Sequence, residues 1–149
     1  MARFALRKAP SPGWKSPVGR AGLDHIIGAM LRCAGRPDAS VDLVLLGDAA
    51  MEGLHGRTLG CAGPTNVLAF PSAPSPLARD HDTSLGSLAL SLDTLERECF
   101  LYGQEPEEHC IRLLAHGLAH LLGNDQGPAM PLVKERLEAA ALEVSAGAC

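Results

Sequence analysis

Two histidines stand four residues apart in an apolar stretch near the end of the chain, LLAHGLAHLLGNDQGP at residues 113–128. At this spacing His116 and His120 lie one turn apart on the same face of a helix, where both imidazoles can bind one metal ion. Gly123 allows a sharp turn after the helix, so the following loop can bring a third ligand back. The pattern predicts a metal site. Its alternative is a buried, hydrogen-bonded histidine pair with a structural role.

The third ligand and the catalytic base decide what chemistry such a site supports. In the zinc helix pattern HExxHxxGxxH the third ligand follows the second histidine by six residues, and that position here is Gln126. Metalloproteases with the HExxH pattern use the Glu after the first histidine as general base, whereas this chain has Gly117. A protease mechanism of that kind lacks its base. His109 lies roughly 10 Å from the pair along the helix axis, and we expect it at the surface.

The composition indicates one globular domain over residues 1–149, with 46% hydrophobic and 20% charged residues. Aromatic residues make up only 3%, which argues against stacking platforms for single-stranded nucleic acid. The net charge of −4 means that a nucleic acid would have to be held by a local basic patch. The five cysteines are irregularly spaced, which predicts free thiols. The sequence has no apolar run of membrane-spanning length and no signal-peptide pattern, so we expect a cytoplasmic protein.

Hydrophobic periodicity and turn residues predict four strands and about five helices. The strands are expected at residues 2–9, 41–48, 66–70 and 85–92, and the helices at 18–33, 49–60, 93–103, 105–123 and 131–144. A Pro-rich loop rather than a helix joins the third strand to the fourth, which favours an α+β fold with a small mixed sheet. The fourth helix carries the histidine pair, and its opposite apolar face should pack on the sheet. That face consists of Ile111, Leu114, Leu118 and Leu121.

Three ordered motifs resemble the YbeY family of bacterial endoribonucleases. HGLAHLLGNDQ at residues 116–126 is similar to the family signature H-G-x-x-H-L-x-G-x-D-H. GPTNVLAFP at residues 63–71 is similar to its P-T-[DN]-V-L-S-F-P strand, and LGSLALS at residues 85–91 to its L-G-D-I-x-I-S strand. The resemblance runs from about residue 41 to residue 142. It implies a small α+β fold, a zinc site of three histidines and a role in 3′-end processing of ribosomal RNA.

The resemblance assigns His116 and His120 as the first two metal ligands, and several family positions depart from the pattern. Gln126 stands at the third ligand, and its amide oxygen binds zinc more weakly than imidazole does. Asp125 matches the family's Asp and is a candidate to bind the ion or to orient a histidine. The remaining departures are Ser87 at the Asp of the L-G-D strand, His55 at an Asn and Leu59 at an Arg suited to phosphate contact, with Arg57 as the candidate substitute.

The family resemblance implies a zinc-dependent endoribonuclease specific for single strands, acting in 16S rRNA 3′-end maturation and ribosome biogenesis. One Zn²⁺ is expected, weakly held, and the expected partners are ribosomal RNA and the small ribosomal subunit, with no membrane and no DNA. The open alternative is a catalytically impaired RNA- or ribosome-binding accessory protein that has lost full zinc coordination. The metalloprotease interpretation is the least favoured, because of Gly117.

Overall fold

A computed structural model describes residues 3–8, 18–59, 66–71, 84–122 and 129–147 of the chain. It contains four strands and five helices. The strands are β1 (Arg3–Lys8), β2 (Ser40–Leu46), β3 (Val67–Pro71) and β4 (Ser84–Ser91), and the helices are α1 (Arg20–Cys33), α2 (Asp48–Leu59), α3 (Leu92–Tyr102), α4 (Pro106–Leu121) and α5 (Ala129–Gly147). Every predicted element is present within a few residues of its expected bounds, and the α+β class is confirmed.

The four strands form one sheet in the order β1-β2-β4-β3. The pairs β1–β2 and β2–β4 are parallel, whereas β3 runs antiparallel to β4. The sheet is therefore mixed, as the sequence predicts. Pro71 pairs with Gly86 at the end of β3. It is tolerated there because β3 is an edge strand, where a missing N–H breaks no central ladder.

The histidine helix α4 packs on β3 and β4 and against α5, while α5 also packs on α1. Its predicted apolar face is buried. Ile111, Leu114 and Leu118 are at most 1% exposed and Leu121 is 7% exposed. The helix begins at an N-cap, Glu105, whose carboxylate accepts hydrogen bonds from the backbone N–H groups of the second and third helical residues at 3.2 and 2.8 Å. The core thus fixes α4 across the sheet, and with it the histidine pair.

Helix α3 begins earlier than its sequence predicts. Ser91, not Asp93, is the N-cap, because the Ser91 hydroxyl accepts a hydrogen bond from the Thr94 N–H at 3.2 Å. The Asp93 carboxylate instead accepts from the backbone N–H of Asp48 at 2.6 Å. It thereby joins the start of α2 to the start of α3. None of the described helices has the length and apolar character needed to span a bilayer.

Candidate active site

The two imidazoles of α4 face each other. The Nε2 atoms of His116 and His120 are 3.2 Å apart, and the ring planes meet at 74° with the centroids 4.7 Å apart. Both side chains are half-buried. At this distance the two Nε2 atoms are close enough to share one hydrogen bond, whose donor depends on the tautomer of each ring. The pair predicted from the four-residue spacing is therefore brought together in space.

His116 is held in its neutral form. Burial lowers the pKa of His116 below its ordinary value of 6.5, and the charge of Lys134 and the neighbouring His120 lower it further. The Nδ1 atom of His116 is buried and has no hydrogen-bond partner among the described residues. Metal-binding histidines ordinarily donate this second ring nitrogen to a carboxylate or carbonyl group.

Gly117 brings the site close to the sheet. A Cβ built on Gly117 would lie 2.8 Å from Leu88 Cδ2 and 3.2 Å from Val67 Cγ2, so α4 approaches β3 and β4 closely and a side chain at residue 117 would force these methyl groups to shift. The position points at packed aliphatic groups. A glutamate here would place its side chain in the helix–sheet contact, against aliphatic groups that offer no partner for a carboxylate.

The other candidate site residues are not tested by the structure. Asp125 and Gln126 fall in residues 123–128, outside the described part of the chain. Arg57 is a residue of α2, but the position of its side chain is not described. Among the described residues, no group of three or more His, Cys, Asp or Glu side chains is placed to hold a metal ion. Of the candidate metal ligands and catalytic residues, only His116 and His120 have side chains in the described part of the chain.

Ser87, which stands where the family pattern has Asp, lies beside a carboxylate on the neighbouring strand. Ser87 pairs with Asp42 on β2 and with Phe70 on β3, so the three side chains share one face of the sheet. Asp42 is exposed and Ser87 is partly buried. The face that loses an Asp on β4 thus keeps a carboxylate on the adjoining strand.

His109 corrects a prediction, because it is buried rather than at the surface. It is 7% exposed, and its Nε2 lies 3.1 Å from Glu98 Oε1 on α3. Arg112 donates to His109 Nδ1 at 3.2 Å, so Nδ1 carries a lone pair and Nε2–H donates to Glu98. Glu98 also accepts from the Asn66 amide at 3.3 Å, at the start of β3. This network joins the strand beside the site to α3 and α4, and spacing along α4 gives no sign of it.

Comparison with known proteins places the chain in a family. Residues 20–140 match the family model described as Endoribonuclease YbeY. The chain is 38% identical to the endoribonuclease YbeY of Nitratidesulfovibrio vulgaris, over 95% of this chain and 96% of that protein. It is 42% identical to the endoribonuclease YbeY of Oleidesulfovibrio alaskensis, over 81% of this chain and 82% of that protein. The chain belongs to the YbeY family, and the resemblance carried by the three motifs is confirmed.

A solved structure shares the fold. The solution structure of TM1509 from Thermotoga maritima superposes with a TM-score of 0.65, over 99% of this chain and 93% of that chain. Its sequence is 16% identical. This likeness supports the α+β architecture and carries no statement about activity.

Proposed function

We propose that this protein is an endoribonuclease that hydrolyses a phosphodiester of single-stranded ribosomal RNA, with a zinc ion held by His116 and His120. The observation that carries the proposal is the convergence of the two Nε2 atoms at 3.2 Å, in a chain that belongs to the YbeY endoribonuclease family. Two nitrogens bound at about 2.0–2.1 Å to one tetrahedral zinc ion stand about 3.3–3.4 Å apart. The separation in the structure therefore suits a shared ion with little movement of either ring.

The donor set fits zinc on chemical grounds as well. A histidine binds metal through a neutral imidazole, and the lowered pKa of His116 keeps that ring neutral at pH 7. The ion, when bound, would lower the pKa of a water molecule toward about 7 and polarise a phosphoryl oxygen. We propose Gln126 as the third, weak ligand, with Asp125 beside it. The weak third donor predicts one zinc ion that is easily lost.

The remaining chain groups serve the substrate. Arg57 is proposed to contact the scissile phosphate in place of the arginine that the family carries at the position of Leu59, because a guanidinium can stabilise the charge that develops on the phosphoryl group. The proposed substrate is the 3′ region of 16S ribosomal RNA. The proposed partner is the small ribosomal subunit, in the cytoplasm, and neither DNA nor a membrane takes part.

A second candidate function rests on the substitutions themselves. Gln126 removes one imidazole from the proposed zinc site and Leu59 removes one guanidinium from the phosphate contact. Together these changes favour a catalytically impaired member that binds ribosomal RNA or the small subunit without cutting. The proposed enzyme and this binder make different predictions for metal dependence.

The test is reconstitution with zinc. Protein stripped with a chelator should lose cleavage of a single-stranded RNA carrying the 16S 3′ region, and one equivalent of zinc should restore it. A matched sample of the His116→Ala, His120→Ala double variant should remain inactive after the same addition. If zinc-loaded wild-type protein leaves the RNA intact at every zinc concentration, the endoribonuclease proposal is wrong. The RNA-binding accessory role then remains as the proposed function.

A further inference from the structure

A pocket of about 360 Å³ lies between the end of α1, the end of α4 and the first turns of α5. Its floor is apolar and its rim carries two guanidinium groups, Arg36 and Arg136. The floor consists of Ala34, Leu122, Val133 and Leu137. The Cys33 thiol, also on the rim, donates to the backbone carbonyl of Arg136 at 3.7 Å, which links α1 to α5 at this edge. No acidic side chain is present among the described residues that line the pocket.

The two arginines differ from the other arginines whose partners are known. Arg97 is paired with Asp48, and Arg112 lies 3.6 Å from Glu138 and donates to Gln104 at 2.7 Å. Arg36 and Arg136 have no ion pair or side-chain hydrogen bond with any described residue, and both are exposed. In a chain with a net charge of −4, two unpaired guanidinium groups on one pocket rim form a local anion-binding surface.

The pocket and the histidine pair lie near the same end of α4. Leu122 lies two residues after His120, about 3 Å further along the helix axis. On α5, Val133 lines the pocket, and the next residue, Lys134, is near enough to His116 for its charge to act on that imidazole. Helix α5 thus carries both a pocket residue, Arg136, and the cation that acts on His116, Lys134.

We propose that Arg36 and Arg136 form an accessory binding site for a phosphodiester of single-stranded RNA, near the end of α4 that carries the histidine pair. Guanidinium groups bind phosphate oxygens through paired N–H donors, and they stack on bases. The apolar floor suits the face of a ribose or base. The site holds the strand on one side of the scissile bond, and it deepens the proposed function because it rests on RNA being the substrate.

The experiment compares RNA binding by the full chain and by the Arg36→Gln, Arg136→Gln double variant. Fluorescence anisotropy with a labelled single-stranded oligonucleotide should show affinity about tenfold weaker in the variant, as expected for the loss of two exposed guanidinium–phosphate contacts. The slope of log K against log salt should fall in magnitude by about 1.4, since each phosphate contact on a single strand contributes about 0.7. Alkylation of Cys33 should slow when RNA is bound to the wild-type protein.

Matched controls keep the result specific. Arg32→Gln removes an exposed charge from the last turn of α1 that does not line the pocket, and it should leave affinity nearly unchanged. The Arg36→Lys, Arg136→Lys variant should retain the salt slope. Circular dichroism of each variant checks the fold.

Binding equal to wild type in the double variant would overturn the accessory site. An equal loss from Arg32→Gln would overturn it too, because a diffuse field rather than the pocket would then hold the RNA. If the wild-type protein binds RNA but does not cut it, the proposed endoribonuclease activity is contradicted. The comparison of RNA binding still tests the accessory site in that case. Wild-type protein that binds no RNA would overturn both proposals.

Discussion

Gly117 on the histidine helix lies so close to Leu88 of β4 that a Cβ on the glycine would stand 2.8 Å from the leucine Cδ2 atom. Leu88 is 1% exposed and belongs to the core, so it has little room to withdraw. The absence of a side chain at residue 117 therefore allows the histidine helix to lie close against the sheet.

Gly117→Ala is expected to destabilise the protein. Alanine improves helix propensity by about 1 kcal/mol, but overpacking a core typically costs about 1–3 kcal/mol, so we expect a net loss of up to about 2 kcal/mol. The midpoint of urea denaturation measures it, with an unchanged slope if only stability has changed. Gly53→Ala on α2 is the matched control, because a Cβ there meets nothing within 4 Å. That variant should be stabilised, and a stabilised Gly117→Ala would contradict the close packing.

The pKa of His116 should lie below 6.5 in metal-free protein, chiefly because of burial. Replacing Lys134 with Gln should raise the pKa of His116 in part, while Lys134→Arg should leave it low. Because the folded-state pKa is below the unfolded value, the unfolded chain binds the proton more readily. Stability from neutral His116 is lost as the pH falls from about 6.5 through the folded-state pKa. NMR titration of the histidine ring protons measures the shift, and a pKa above 6.5 would refute it.

Gln126→His should tighten zinc binding by more than about tenfold, since even changes to the groups around metal ligands alter affinity by about 10–100-fold. Competition with a coloured chelator measures the affinity. Gln126→Ala is the control and should weaken zinc, because it removes the amide oxygen. Equal rates of zinc release from wild type and both variants would show that residue 126 is not a ligand.

The three described cysteines should react with iodoacetamide at different rates. Burial raises the pKa of Cys110 to about 12, and the side chain is fully buried. Burial, Glu105 and Glu98 raise the pKa of Cys99, whereas Cys33 is exposed. Because the thiolate is the reactive form, Cys33 should be alkylated first and Cys110 last. Mass spectrometry of peptides after a short pulse measures the order, and rapid labelling of Cys110 in folded protein would contradict the core packing.

The sequence predicts elements whose signal is local. Hydrophobic periodicity locates all five helices and four strands within a few residues, and the four-residue histidine spacing alone brings His116 and His120 to one face. Hydrophobic periodicity does not predict the contacts between separate helices and strands. The burial of His109 depends on Glu98, eleven residues away on another helix, and helix α3 is capped by Ser91 because the strand before it runs directly into the helix. The Lys134 charge near His116 likewise depends on how α5 packs on α4.

The measurement that tests the central claim most directly is cleavage of a 16S 3′-end RNA fragment by zinc-loaded wild-type and His120→Ala proteins, with RNA binding measured in parallel. In the proposed mechanism hydrolysis requires both imidazoles, whereas phosphate contacts come from arginine and lysine. We predict that His120→Ala abolishes cleavage and leaves salt-dependent binding nearly intact. Arg57→Ala should weaken binding and flatten its salt slope by about one unit. Cleavage by zinc-loaded wild type that does not exceed the His120→Ala background would contradict the account.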